Sequence, residues 1–316
     1  MNPEVTQVVP VDIPVFPLRP QALCLWHANC MDGQISAAIV HLFFQGNVEC
    51  VAIQYKDPLP LDKMKDRHVY LVDFTFPPEV ILPHLDTMAS LTVIDHHEDA
   101  MLPWIAHCEK GRPQKLQIVY DIRRSGAGLV WQHFFDCPGA SRSTDMPLVV
   151  QYAQEYDLWT KDLPNTDEVQ SGLRYTFPPR EAHLAALADF MVKAGPEEIE
   201  ELRKIGSVIT RQEMIMVESF VKRHLMLRDF LEYKNVPVCH MPAELANQAG
   251  ELLYNRYPDA PFVVLFEDNY NFKTRKYSFR SRRGTGLNVS AIAARFGGKG
   301  HFNSSGAIVD LPLTFA

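Results

Sequence analysis

The chain has 316 residues, 47% of them hydrophobic, and 31 Lys and Arg stand against 38 Asp and Glu for a formal charge of −7. That length exceeds one ordinary core and suits two domains, and the acidic balance argues against a basic surface that coats long duplex nucleic acid. The six cysteines form no CxxC pair and no run of apolar residues reaches a membrane span, so the expectation is a cytoplasmic protein with reduced thiols and no membrane partner.

Residues 1–20 are proline-rich without a period and read as an extended lead-in. Residues 23–26 read as a short buried strand. Residues 33–44 follow as a helix, with Ile35, Ala38, Ile39, Leu42 and Phe43 at helical spacing. Further strands are predicted over 48–54, 69–72, 91–94 and 117–120, with a helix around 79–85. The segment 124–128 opens a helix through Leu129, Val130, Trp131 and Phe134, and 147–159 forms another, with Asp157 near its end. From 179 to 228 the pattern is almost wholly helical, and 197–224 reads as a long amphipathic connector. The pattern then changes to strands at 236–240, 261–266 and 276–280 and helices at 246–254 and 289–296. The expected fold class is α/β: an N-terminal domain with a parallel sheet (1–185), a helical linker (186–229) and a smaller C-terminal α/β domain (230–316).

Chemistry concentrates where apolar strands end. Asp95, His96 and His97 follow Leu91 to Ile94, Asp73 follows Val69 to Val72, and His27 and Asp32 follow Leu23 to Trp26. Open parallel sheets bind ligands at that carboxyl edge. Asp157 joins the set from the end of its helix. Imidazoles and carboxylates together suit Mn²⁺, Mg²⁺ or Fe²⁺, and one or two such ions hold a phosphate and acidify water. Crowded carboxylates without a cation repel one another. A lone strand-end Asp is usually a cap and a lone buried His is usually structural; the set taken jointly favours a metal site.

Four ordered motifs carry a family resemblance: His27-Ala28-Asn29-Cys30-Met31-Asp32-Gly33, Val72-Asp73, Asp95-His96-His97 and Tyr156-Asp157-Leu158-Trp159. A fifth is Gly297-Gly298-Lys299-Gly300-His301 with Ser304-Ser305-Gly306, preceded by Arg280-Ser281. The chain resembles DHH-family phosphoesterases that carry a DHH-associated C-terminal domain, the group of nanoRNases and small-nucleotide phosphodiesterases. The resemblance covers nearly everything past the lead-in. It implies that Asp73 bridges two metals, that Asp32, His96 and Asp157 complete one site, and that His27 serves the other. It assigns His97, with Asp95, to catalysis at the scissile phosphate. Arg280, Ser281, Gly297, Gly298, Gly300 and His301 become substrate-binding residues, and Mn²⁺ the expected cofactor.

The first motif departs from the family form, which has an Asp where Cys30 stands and places its His one residue nearer to the Asp matching Asp32. Three alternatives stay open at this point: Cys30 ligates a soft metal, Asn29 offers its carbonyl oxygen, or one metal is weakly held or absent. The glycine motif is expected to aim N–H groups at an anion, helped by basic residues in 273–283, among them Lys273, Arg275, Arg282 and Arg283. Ser125 is read as a helix cap, and Trp131 and Trp159 as core. The expected activity is metal-dependent hydrolysis of short oligonucleotides, dinucleotides or cyclic nucleotides between two lobes. Alternatives are a pyrophosphatase or exopolyphosphatase, a processive single-strand exonuclease, and a non-catalytic nucleotide-binding relative. The helical middle is compatible with a homodimer.

Overall fold

The first half of the chain alternates strand and helix. The computed structural model describes residues 21–54, 57–136, 146–284 and 286–311; the expected lead-in at 1–20 lies outside them. In chain order come β1 (Ala22–His27), α1 (Met31–Phe43), β2 (Val48–Ile53), α2 (Leu61–Met64), β3 (His68–Val72), α3 (Pro78–Ile81), β4 (Ser90–Asp95), α4 (Glu98–Glu109) and β5 (Leu116–Tyr120). The strands form one parallel sheet in the order β2-β1-β3-β4-β5. Connections run one way from β1 and the other way from β3, which opens a crevice at the carboxyl ends of those two neighbours.

Alternation along the strands explains the unbroken apolar runs. Leu23 and Leu25 join Val69, Leu71, Leu91 and Val93 on one face, covered by Met64, Ile81, Met101 and Trp104 from α2, α3 and α4. Cys24 and Trp26 join Val72 and Ile94 on the other, against Ile35 and Ile39 of α1. A sheet covered on both sides needs apolar residues at every position. Each fully buried large side chain, such as Leu25 or Trp26 at 0% exposure, stabilises the fold by roughly 1.5–3 kcal/mol.

Helices α5 (Gly126–Phe135), α6 (Leu148–Asp157), α7 (Thr166–Thr176) and α8 (Leu184–Lys193) follow, and then α9 (Pro196–His224). Helix α9 has Pro at its start, Glu197 and Glu198 in its first turn and Lys222, Arg223 and His224 in its last. That distribution complements the helix dipole. The second sheet contains β6 (Leu225–Phe230), β7 (Tyr233–His240), β8 (Val263–Asn269), β9 (Thr274–Arg280), β10 (Lys299–His301) and β11 (Ser304–Asp310), in the order β10-β11-β9-β8-β7-β6. Helices α10 (Ala246–Arg256) and α11 (Val289–Ala294) belong to this half. Strands β7 and β8, joined across α10, are parallel, and the other pairings are antiparallel.

Several expectations are corrected. The helical stretch ends at His224 and not near Arg228, because Leu225 to Arg228 pair with Val236 to Cys239; leucine and methionine favour helix, and sheet pairing overrides them here. The second sheet therefore starts at Leu225, before the expected boundary at residue 230. The helix expected at 79–85 is one α turn followed by a 3₁₀ turn over Leu82–Thr87, since Pro83 lacks an amide donor. Helix α4, with Pro103 inside it, falls where the sequence predicts no element. No helix among the described residues is long and apolar enough to cross a membrane.

Candidate metal centre

The site is assembled by strand ends. After β1 the chain turns through Asn29, whose φ of 62° is left-handed, and Cys30 heads α1. Asp32, in the first turn of α1, is 3% exposed. Both its carboxylate oxygens lie 3.2 Å from the Ala127 amide, which donates to them from the start of α5. The α5 dipole thus adds positive potential at Asp32. Ser125 is fully buried and caps α5, its hydroxyl accepting from the Gly128 amide at 3.2 Å. Asp73 follows β3 with φ 54° and 1% exposure; left-handed backbone at a non-glycine residue is strain of the kind that collects at functional sites.

The carboxyl end of β4 divides its labour. Asp95 is completely buried, and its Oδ1 accepts from the His96 amide at 2.8 Å and from His97 Nδ1 at 2.7 Å. A carboxylate only accepts, so the His97 proton sits on Nδ1. His96 faces the other way. Its Nε2 lies 3.4 Å from Asp73 Oδ1 and 3.4 Å from Asp157 Oδ2 at the end of α6. Neither approach is a hydrogen bond: His96 Nε2, both Asp73 oxygens and Asp157 Oδ2 are buried without one. Buried polar groups are normally paired, and orphaned donors converging at such distances suit a cation between them. Among the described residues, four groups have ligand atoms within 4.8 Å of one another; two centre on His96 and His97, with His301 or with Asp73 and Asp95, and the other two are Asp32, His96 and Asp157, and His27, Cys30 and Asp73. The set of Asp32, His96 and Asp157 is rich in oxygen and imidazole and fits a hard or borderline divalent ion.

Charge makes the same point. Burial and then the Asp73 and Asp157 carboxylates push Asp32 well above the usual carboxylate range. Burial also works against ionised Asp73, but His27 and His96 outweigh it and hold Asp73 well below that range. Burial lowers His96 while Asp157 and Asp73 raise it, and the balance lies at about 9. Asp95 similarly brings His97 to about 9 against burial. His301 goes the other way: burial and His97 depress it to about 4. His27 and His96 thus hold Asp73 ionised, while Asp32 stays pushed up by burial and its neighbouring carboxylates.

The two halves of the chain meet over this site. The His301 ring lies 5.3 Å from that of His96 and 4.9 Å from that of His97. Lys161 pairs with Glu251 at 2.7 Å, and Arg283 donates to the Trp159 carbonyl at 3.2 Å. Between the halves lies a cavity of about 590 Å³, with His96 and Asp157 on one side, Arg280, Ser281, Gly300 and His301 on the other, and Trp159, Tyr254 and Phe302 adding aromatic surface. Arg280 is held in place: Nε and Nη2 donate to Asn247 Oδ1 at 3.1 and 2.9 Å, and Nη1 donates to the Phe279 and Ser305 carbonyls. Burial pulls it down to about 10, so it stays charged at neutral pH.

Three sequence readings change here. The amides of Gly297 and Gly298 are not aimed at an anion; they donate to the Ala294 and Ala293 carbonyls and close the end of α11. The Ser281 hydroxyl is engaged with the Leu287 carbonyl and Asn303. Trp159 lines the cavity, with the Lys161 ammonium 3.7 Å from its ring centre, while Trp131 is core as expected. Much of the basic segment is also structural, Arg275 pairing with Asp268 at 2.6 Å. Asn247 had no signal in the sequence. Gly126 falls in the segment 124–128 that opens a helix, and its use is visible only with Asp32 and Asp73 packed against it.

No family model matches the chain. It is 25% identical over 302 residues to the uncharacterized protein R106 of Acanthamoeba polyphaga mimivirus, covering 89% of this chain and 66% of that protein, so it spans just under two thirds of its relative. Solved structures resemble it over nearly its whole length. The DHH domain of a member of the S1p family of ribosomal proteins superposes with a TM-score of 0.57 at 12% identity, covering 93% of this chain and 83% of that one. The exonuclease RecJ bound to manganese gives 0.52 at 13% identity, over 92% and 86%. A pGpG-specific phosphodiesterase from Vibrio cholerae gives 0.51 at 13% identity, over 92% and 93%. The chain has the α/β fold of these DHH-domain proteins.

Proposed function

We propose that the chain is a divalent-metal-dependent phosphoric ester hydrolase acting on a small nucleotide, such as a dinucleotide, the end of a short oligonucleotide or a cyclic nucleotide. The observation that carries this reading is the convergence of Asp32, Asp73, His96 and Asp157, with buried oxygens and a ring nitrogen lacking hydrogen bonds, beside the 590 Å³ cavity that Arg280 also lines. The phosphodiesterase and the exonuclease sharing the fold support the phosphodiester class. In this reading residues 1–185 are the metal-binding lobe and α9 the main connector, and the substrate lobe starts at Leu225. Mn²⁺ is the expected ion, one or two per chain, held by Asp32, Asp73, His96 and Asp157 with His27 at the second position. The described cysteines are free thiols, which fits a cytoplasmic location.

When bound, such an ion neutralises phosphate charge and acidifies the attacking water. The remaining work belongs to side chains. Asp95 locks the His97 ring through Nδ1 and keeps it protonated, a donor for a phosphate oxygen or the leaving group. Four of the five Arg280 N–H donors are spent on protein acceptors, which leaves one Nη2 N–H and a pre-positioned charge for a phosphate. Trp159, Tyr254 and Phe302 offer apolar surface to a base; a polyphosphate has no use for it, which favours the nucleotide over the pyrophosphatase alternative.

The test is hydrolysis of a bis-aryl phosphodiester with Mn²⁺ by the wild type and Asp73→Ala, with a dinucleotide and inorganic polyphosphate followed in parallel by chromatography. Wild-type turnover of diester and dinucleotide, lost in Asp73→Ala, is the expected result. Equal rates in both proteins would end the hydrolase reading, and cleavage of polyphosphate alone would replace the substrate.

A further inference from the structure

We propose that Cys30 is a metal ligand, and that the chain holds two unlike cation positions sharing Asp73: a thiolate-containing one from His27, Cys30 and Asp73 for an ion such as Zn²⁺ or Co²⁺, and the oxygen-rich one for Mn²⁺. This deepens the proposed function and rests on its metal site.

The geometry of Asp73 is the first support. Its two oxygens look at different partners: Oδ2 lies 3.7 Å from His27 Nδ1, whereas Oδ1 lies 3.4 Å from His96 Nε2. Both oxygens are buried without a hydrogen bond, in a side chain 1% exposed. One carboxylate thus serves two donor sets. Cys30 completes the first, because one ligand atom from each of His27, Cys30 and Asp73 lies within 4.8 Å of the others. The left-handed turn at Asn29 brings the residue after it back beside the end of β1. Cys30 stands at the N-cap of α1, where a side chain usually accepts an amide hydrogen, yet it makes no such bond. Burial and the Asp73, Asp32 and Asp157 carboxylates push the Cys30 thiol well above the ordinary cysteine range, with the Gly33 amide working against them, so the thiolate forms together with the metal bond.

Chemistry separates the two positions. Thiolate selects softer ions, and one sulfur, one imidazole and one carboxylate make a three-ligand set of the kind that leaves a zinc ion an open coordination position. The set of Asp32, His96, Asp157 and Asp73 has no sulfur and suits Mn²⁺ or Mg²⁺. Binding breaks the Cys30 S–H bond, forms a metal–sulfur bond and releases the proton to solvent, with no change of oxidation state. Among the described residues, Cys30 is the one cysteine grouped with other ligand side chains in this way.

The experiment titrates the chelator-stripped full chain with Co²⁺ and reads thiolate-to-cobalt charge-transfer absorption in the near ultraviolet. The expected band saturates with one cobalt per chain, is absent in Cys30→Ser and persists in Cys50→Ser. Zn²⁺ affinity falls by roughly 10- to 100-fold in Cys30→Ser, and Mn²⁺ affinity holds. A second measurement needs no variant: Zn²⁺ protects Cys30 of the wild type from iodoacetamide, mapped by peptide mass spectrometry. A missing band, a band that survives in Cys30→Ser, or alkylation of Cys30 at the same rate with and without Zn²⁺ overturns the assignment. Those outcomes leave Mn²⁺-dependent diester hydrolysis standing; a cobalt band in a protein without hydrolysis supports the cysteine ligand and removes the hydrolase reading.

Discussion

A single methyl group at Gly126 tests the architecture of the site. A Cβ there lies 2.6 Å from Asp73 Cβ, 2.7 Å from Asp73 Oδ1 and 2.8 Å from Asp32 Oδ2. Ordinary contact begins at 3.4 Å, so two ligand carboxylates in Gly126→Ala must retreat by up to about 0.8 Å. The helix gains from the change, since Ala is favoured over Gly by about 1 kcal/mol in an interior and by less at the first position. Overpacking costs about 1–3 kcal/mol. The cost exceeds the gain by up to about 2–3 kcal/mol, and without metal the variant should stay folded but melt up to about 10 °C below wild type, at the roughly 2–4 °C per kcal/mol of larger domains. Function should not be spared. Displacing ligands by this distance should weaken Mn²⁺ binding by roughly 10- to 100-fold and lower kcat/KM by about 100-fold. Calorimetric Mn²⁺ titration, a thermal melt with and without chelator, and diester hydrolysis measure the three quantities. Ser125→Ala is the contrast, removing a cap worth about 1 kcal/mol without intruding on a carboxylate. A folded Gly126→Ala protein with wild-type Mn²⁺ affinity and rate refutes the argument that these carboxylates are held at ligand positions.

Other expectations follow from the same geometry. Asp95→Asn removes the charge that orients His97 and should cut kcat by roughly 10²- to 10⁴-fold with little change in Mn²⁺ affinity; a loss of metal with activity intact would reverse these roles. In Gly250→Ala the added carbon meets Arg280 Cγ at 2.6 Å, so the guanidinium shifts and KM for a dinucleotide rises about tenfold while kcat holds. Unchanged KM would remove Arg280 from substrate binding. Glu49 pairs with buried Arg67 and with Lys63, and although burial opposes its charge, these cations lower its pKa in the folded protein. Glu49→Gln should therefore cost about 1–2 kcal/mol at pH 7, the range of a charge-assisted bond reduced for partial exposure. Because the folded value is the lower one, this contribution is complete above the unfolded pKa of about 4.3 and disappears as pH falls through the folded value. Denaturant melts of the two proteins should converge in acid. Added Mn²⁺ at about 100 times its dissociation constant should stabilise the wild type by about 2.7 kcal/mol, and Asp73→Ala should lose most of that gain in the same melt.

Parallel strands covered on both faces announce themselves, because nothing in Leu23 to Trp26 or Leu91 to Ile94 must face water. The segments not read were those whose structure depends on distant partners. Leu225 to Leu227 is a strand because Pro237 to Cys239 pair with it. Helix α4 accommodates Pro103 while Met101 and Trp104 pack under the sheet. Gly297 and Gly298 carried the composition of an anion loop and close a helix instead.

Ligand chemistry is a property of residue type, and strand ends can be located from apolar runs, so His27, Asp32, Asp73, Asp95, His96, His97 and Asp157 could be named before any coordinates. The family resemblance implies a division of labour among them, but not the atoms that carry it. That His96 turns toward Asp73 and Asp157 while His97 turns toward Asp95 depends on ring orientations 3.4 and 2.7 Å from their partners. That Cys30 faces Asp73, that Asn247 holds Arg280 and that Gly126 leaves room for two carboxylates depend on segments far apart in the chain. Local pattern encodes which face of an element is buried; only packing between elements decides which atoms meet there.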